Sequence, residues 1–168
     1  MNYITVYEIS QNYFPFYGLI PLVLLLLFSF FLFKSIKLKA KGITTLVLAF
    51  GIVLTGFICV SNVYDWLYTK NNIIKPYFEG EYLTVVGEVE NFEPLHFQGN
   101  GTESFEIDGI KFNYSKSSVE YVGYNTESSA GGYIKENGQN VRIGYMYDAV
   151  YDRNIILKLE IEQSRSNT

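Results

Sequence analysis

The side chains that could do chemistry are few and poorly placed for one another. Glu88 and Glu90 sit two residues apart, and paired carboxylates serve glycoside hydrolysis when held about 5 to 9.5 Å apart across a cleft. On a strand, alternate glutamates share one face, and a solvated face is the ordinary result. Ser104, Ser117, Ser128 and Ser129 are available as nucleophiles, but His96 is the only imidazole. No Gly-x-Ser-x-Gly turn is present to activate one of them. Asp148 and Asp152 flank Ala149, Val150 and Tyr151 without the alternating oxygen ligands and central glycine of a calcium loop. One cysteine, Cys59, and one histidine cannot build a zinc site or an intrachain disulfide. We therefore expect no catalytic set, no metal and no cofactor, and a chain that is not an enzyme.

The segment best equipped to hold a ligand is aromatic. Tyr114, Tyr121, Tyr124 and Tyr133 are interleaved with Gly123, Asn125, Gly131 and Gly132. Tyrosine rings stack on a sugar, a peptide or a base while permissive backbone donates hydrogen bonds. The competing expectation is that the same rings pack the open end of a β core.

Charge narrows the partners. From Pro76 onward seven Lys and Arg stand against fifteen Asp and Glu, a net of −8. Phosphate backbones are held by clustered cations, so nucleic acid is excluded as an expected partner.

The remaining six lysines surround two long apolar runs. Phe16 to Phe33 holds fourteen Leu, Ile, Val or Phe and no charge. At about −0.3 to −0.6 kcal/mol each, these favour insertion by roughly 4 to 8 kcal/mol. Ile43 to Tyr64 is likewise uncharged and long enough for a hydrocarbon core of about 30 Å. The first run has no basic residue before it and no small-x-small cleavage site after it, unlike a signal peptide. Gly51, Thr55 and Cys59 recur every four residues in the second, a small-residue face for a neighbouring helix, in the same hairpin or in a second copy. Tyr64, Trp66 and Tyr68 read as an interfacial belt.

Between the runs, Lys34, Lys37, Lys39 and Lys41 fall within nine residues, whereas the N-terminal tail has no Lys or Arg. The positive-inside rule puts this loop in the cytoplasm and both termini outside. The expected order is a tail over 1–14, transmembrane helices over 15–33 and 43–65 joined by a basic loop over 34–42, and a linker over 66–80. A β domain over 81–163 and a disordered tail over 164–168 complete it.

In the β domain, Glu81 to Phe92 is β-rich and carries Gly87 where a strand could bend. Asp108-Gly109 predicts a two-residue turn pairing Ile107 with Ile110, Phe105 with Phe112 and Glu106 with Lys111. Asn140 to Tyr147 and Ile155 to Glu162 alternate as strands, and a short strand is expected near Tyr133 to Lys135. The fold class is thus a membrane α-helical hairpin plus an all-β domain. Five or six strands in so short a chain suggest a small OB-like barrel, closed or partly open.

The pattern GEVENFEP, ESFEIDGIKFNYS, GGYI, VRIGY and LKLEIE, from Val85 to Ile161, resembles a family of small, often membrane-anchored bacterial proteins with no assigned activity. The resemblance implies bacterial origin and supplies no catalytic residues; with the two apolar runs, the expected location is the bacterial inner membrane. Three functions are compatible with these residues. The first is a membrane-anchored interaction protein whose β domain lies in the periplasm or outside the cell, with the lipid bilayer and another envelope protein or a small ligand as partners. The second is a membrane effector whose cytoplasmic β-barrel senses a ligand and drives helix oligomerisation. The third is an anchored envelope hydrolase.

Overall fold

The structure, a computed structural model, describes residues 2–14, 16–39, 41–95, 101–115 and 122–163. It divides into two compact units: Tyr13–Lys70, and a second formed by Met1–Asn12 together with Asn71–Thr168.

The first unit is a helical hairpin. Helix α1 spans Leu19–Lys37 and α2 spans Gly42–Thr69. Both are long and apolar enough to cross a membrane, and only 6% of each apolar window is buried. Lys34 and Lys37 belong to the last turn of α1, four residues beyond the expected end at 33. Cations are favoured there by the unpaired terminal carbonyls. The helix stops at Leu38 and at Lys39, whose φ of +50° cannot continue it.

The small face of α2 turns inward. Gly51 and Thr55 are buried, and a Cβ on Gly51 would lie 2.9 Å from the ring of Phe28 in α1. Thr55 Oγ1 donates to the carbonyl of Gly51 at 2.7 Å, so its hydroxyl is satisfied within its own helix. Near the hairpin tip the hydroxyls of Ser35 and Thr45 bond across the helices at 3.1 Å. The outer faces, with Leu26, Phe30, Phe50, Val53 and Phe57 each at least 60% exposed, are almost wholly apolar.

The linker expected over residues 66–80 is largely helical. Helix α2 covers them to Thr69, a π turn follows at Lys70–Ile74, and a short helix α3 at Lys75–Phe78. Pro76 falls in the first turn of α3, where its missing N–H costs nothing.

The second unit is β-rich. Its strands are β1 (Tyr3–Glu8), β2 (Leu83–Glu88), β3 (Glu90–Glu93), β4 (Glu103–Ile107), β5 (Ile110–Tyr114), β6 (Asn140–Asp148) and β7 (Arg153–Glu162). They form a four-stranded sheet in the order β1-β7-β6-β2 and a three-stranded sheet in the order β3-β4-β5. The Asp108-Gly109 turn, with φ of +50° and +74°, has the left-handed geometry of type I′. Its register is the one the alternation predicts: Ile107 opposite Ile110, Phe105 opposite Phe112 and Glu106 opposite Lys111.

Val89 alone separates β2 from β3, and the chain changes partners across it, from β6 to β4. Gly87 allows this bend, since a Cβ there would lie 2.9 Å from Cγ2 of Ile107. Between the sheets, Val85, Val89, Phe105, Ile107, Phe112, Ile134, Val141, Ile143 and Leu159 form one apolar core.

Two expectations are corrected, and of the barrel, expected closed or partly open, the closed form is not found among the described residues. The tail over 1–14 contains strand β1, which pairs antiparallel with β7: Ile4 opposite Ile161, Thr5 opposite Glu160 and Tyr7 opposite Leu159. The segment Tyr133 to Lys135 forms no strand; its Tyr133 N–H is given to the Tyr124 hydroxyl and its Lys135 N–H to Gln139 Oε1. No closed barrel forms among the described residues. Closure would require β5 to ladder onto β7, but the free edge of β7 is taken. Its C-terminal half pairs with β1, and Tyr124 N–H donates to Ile156 O at 2.9 Å. Between β5 and β7 a side-chain bond runs from Asn154 Nδ2 to Lys111 O at 3.0 Å.

Candidate functional site

The aromatic segment converges on a buried carboxylate. Glu103 and Tyr114 are cross-strand partners at the open end of the β4–β5 hairpin, and their side chains share the inner face. The Tyr114 hydroxyl donates to Glu103 Oε1. Ser128, in a 3₁₀ turn over Ser128–Ala130, donates its N–H to both Glu103 oxygens at 3.1 and 3.0 Å and its hydroxyl to Oε2 at 2.6 Å. Glu103 has no exposed surface, so these donors replace the water it loses. Lys135 Nζ donates to Ser128 O at 2.8 Å, tying the same turn from outside. A second buried carboxylate, Glu127, accepts from the Ser115 hydroxyl at 3.3 Å.

Tyr124 packs edge-on against Tyr114 and against Tyr7 of β1, with ring centroids 5.3 and 5.4 Å apart. Its hydroxyl oxygen accepts the Tyr133 N–H. Burial and the hydrogen bond to Glu103 push the Tyr114 hydroxyl far above its ordinary pKa. Burial raises that of Tyr124 as well, partly offset by backbone N–H groups of Tyr133 and Ile134 that favour its anion. Both remain neutral hydrogen-bond donors or acceptors across the physiological range.

Of the four tyrosines expected to meet a ligand, Tyr114 and Tyr124 are therefore core residues, 3% and 4% exposed. Tyr133 is exposed, and Tyr121 lies outside the described residues. The cleft beside Tyr114 and Tyr124 has only about 10 Å³ of free space, about what a single water needs. Chemically, the Glu103 assembly fixes the 3₁₀ turn to the hairpin, with both carboxylate oxygens taken by internal donors.

Several other polar groups are also engaged. On the outer face of the four-stranded sheet Glu160 accepts from Thr5 Oγ1 at 3.1 Å and meets Arg142 at 3.4 Å and Lys158 at 3.3 Å. The Arg142 guanidinium lies 4.4 Å over the Tyr3 ring. Tyr77 of α3 donates to Glu8 at 2.7 Å, and burial with that bond raises its pKa. Glu88 and Glu90 are exposed, as a solvated strand requires. Asp148 accepts the Val150 N–H at 3.0 Å and Asp152 the Tyr147 hydroxyl at 2.6 Å, so both shape the β6–β7 turn. Among the described residues no three His, Cys, Asp or Glu side chains are grouped to hold a metal ion.

The basic residues Lys34, Lys37, Lys39 and Lys41 are all exposed at the tip of the helical hairpin. Of the aromatic belt, Tyr64 is 70% exposed, while Trp66 is half-buried against Phe14 at 6.1 Å and carries Lys70 over its ring at 5.3 Å. Cys59, the third residue of the small face, is half-buried.

Among the described residues, an open groove is roomy enough for a ligand group. It measures about 340 Å³ and is lined by Tyr82, Leu83, Tyr145, Met146 and Tyr147 at one end of the four-stranded sheet. These residues escaped the sequence reading because the groove joins the start of β2 to the end of β6, sixty positions apart. No protein-family model, no curated protein and no solved structure matches this chain.

Proposed function

We propose that this chain is a membrane-anchored, non-enzymatic interaction protein of the bacterial inner membrane. Its helical hairpin crosses the bilayer twice, and its β domain lies on the extracytoplasmic side. The observation that carries this reading is the β1–β7 ladder, which joins residues before the hairpin to residues at the far end of the β domain. A sheet cannot be split by a bilayer, so an even number of crossings must lie between β1 and β2, and two helices supply it.

Two further features support it. The outer faces of α1 and α2 are a continuous apolar surface that water would penalise and lipid would not. The exposed lysines at the hairpin tip, against none in residues 1–12, favour a cytoplasmic tip by the positive-inside rule. Binding rather than catalysis is favoured because the buried carboxylates are tied up by internal donors. The cytoplasmic-sensor alternative draws no support from Arg142 and Lys135, whose cationic groups are already bound within the domain. Self-association through Gly51, Thr55 and Cys59 is not part of this reading, since Gly51 already faces Phe28.

The test is protease accessibility of the full chain in intact spheroplasts. Digestion of the β domain without lysis is the expected result. Protection until lysis would overturn the extracytoplasmic placement and revive the cytoplasmic sensor.

A further inference from the structure

The register of the four-stranded sheet puts three chain segments at one end. Strand β1 leaves the sheet at Glu8, opposite Lys158, which itself lies opposite Gly144. Strand β2 begins at Leu83, opposite Tyr145. The turn joining β6 to β7, residues 149–152, lies just beyond Tyr145 and Tyr147. The two strand ends that lead to the apolar helices thus lie level with Gly144 and Tyr145, and the β6–β7 hairpin projects beyond them at the same end of the sheet.

That end of the sheet is unusually apolar for a surface. Val150 is 62% exposed, Leu83 57%, Tyr147 55%, Tyr151 46% and Tyr82 37%. The turn itself is held firmly. Asp148 accepts the Val150 N–H, the Tyr147 hydroxyl bonds Asp152, and the Arg153 guanidinium stacks 5.1 Å over Tyr151. Ordering such rings outward is costly in water, whereas tyrosine is favoured at the headgroup level, where its ring meets apolar chains and its hydroxyl stays wet.

We infer that the β6–β7 turn, with Tyr147, Val150 and Tyr151, rests in the headgroup region of the bilayer and docks the β domain on the membrane surface. The inference rests on the membrane-anchored reading above. Chain connectivity selects lipid as the occupant. From Glu8 to Phe16 the chain can reach at most about 28 Å when fully extended, so this end of the sheet cannot leave the vicinity of a bilayer crossed by the helix that follows. Arg153 is the single cation of the 147–153 segment and its two aspartates are bonded within the turn. Docking is therefore apolar rather than electrostatic, and insensitive to salt.

The test is site-directed spin labelling of the full chain in phosphatidylethanolamine and phosphatidylglycerol vesicles, in a Cys59→Ser background. Val150→Cys probes the turn and Tyr151→Cys repeats the probe, should the first variant perturb it. Glu136→Cys marks the opposite end of the sheet, and Leu54→Cys, within α2, marks the lipid. A ratio of oxygen to water-soluble nickel accessibility several-fold higher at 150 and 151 than at 136, unchanged by high salt, is the expected result. It corresponds to a depth of about 5 to 10 Å below the headgroup surface. If the label at 54 reports lipid while those at 150 and 151 match 136, docking is wrong and the anchor stands, leaving the patch for a protein partner. If the label at 54 is itself aqueous, both readings fall.

Discussion

Ile4 of β1 and Ile161 of β7 face each other across an antiparallel ladder, although both apolar helices lie between them in the chain. The helical hairpin is therefore an insertion within the β domain, and the domain cannot assemble until the chain has returned from the second helix.

The ladder predicts a specific cross-link. Directly opposed residues bring their Cβ atoms to about 4.5 to 5.5 Å, close enough for a disulfide after small backbone adjustment. With Cys59→Ser, the double variant Ile4→Cys/Ile161→Cys is expected to form one on mild oxidation, giving a reducible gel shift. Ile4→Cys/Glu160→Cys, one position out of register, places the thiols on opposite faces and is expected not to. Equal yields from both would show that the pairing is not the native one.

Packing inside the hairpin sets a second expectation. A methyl group at Gly51 would come within 2.9 Å of Phe28, so Gly51→Ala must displace that ring. Overpacking of this kind costs about 1 to 3 kcal/mol. Thermal unfolding of the full chain in detergent is expected to show the loss, and Phe28→Leu/Gly51→Ala to recover most of it. A variant as stable as the parent would mean that the two helices do not meet at this face.

Titration of Tyr114 gives a pH dependence whose sign follows from its raised pKa. The unfolded residue loses its proton near about pH 10, while the folded one keeps it. Below pH 10 both states hold the proton and the contribution to stability is intact. Above it the unfolded state holds fewer protons, so stability falls by about 1.4 kcal/mol per pH unit for this group. Tyr114→Phe removes that slope but leaves Glu103 short of a donor, costing about 1 to 3 kcal/mol at neutral pH. Urea midpoints from pH 7 to 11.5 are expected to start lower for the variant and to fall less steeply above pH 10. Parallel curves would remove Tyr114 as the titrating group.

What the sequence revealed and what it hid divide by range of interaction. The Asp108-Gly109 hairpin was legible because turn geometry and both faces of the pairing reside within eleven consecutive residues. The β character of Tyr3–Glu8 was equally visible in its Tyr, Ile, Thr and Val content, but its partner lies at the other end of the chain. Beside a membrane span it read as a tail. Whether the sheets close was left open for the same reason, since β1 takes part of the edge of β7. Glu103 looked like any strand glutamate; its burial depends on Ser128, twenty-five residues on. Tyr114 and Tyr124 stood among four tyrosines named as ligand candidates, and residue type alone cannot say whether a ring faces a ligand or the core.

Gly123 marks where the chain between β5 and β6 presses on β7. Its φ is +100°, and a Cβ would lie 2.7 Å from Ile156 O and 2.6 Å from Ile155 Cγ2. Gly123→Ala therefore combines left-handed backbone strain with a backbone clash, and is expected to cost more than about 2 kcal/mol. Hydrogen exchange is expected to show faster exchange of the Tyr124 amide than in the parent, with β4–β5 protection retained. Unchanged protection at Tyr124 would mean that this segment does not occupy the edge of β7.

In the proposed topology, orientation in the membrane rests on the four lysines at the hairpin tip. Replacing Lys34, Lys37, Lys39 and Lys41 by Gln leaves Lys70 and Lys75 as the only cations near either helix end, on the opposite side of the proposed bilayer. The K/R bias then reverses, though a difference of two is weaker than the original four against two. The quadruple variant is expected to populate both orientations, read as a protease-protected fraction of the β domain in spheroplasts that the parent lacks. Adding Lys70→Gln and Lys75→Gln should reduce that fraction, because no positive bias for inversion remains. A parent-like digestion pattern in the quadruple variant would mean that something other than these lysines, such as folding of the β domain around β1, fixes the direction of insertion.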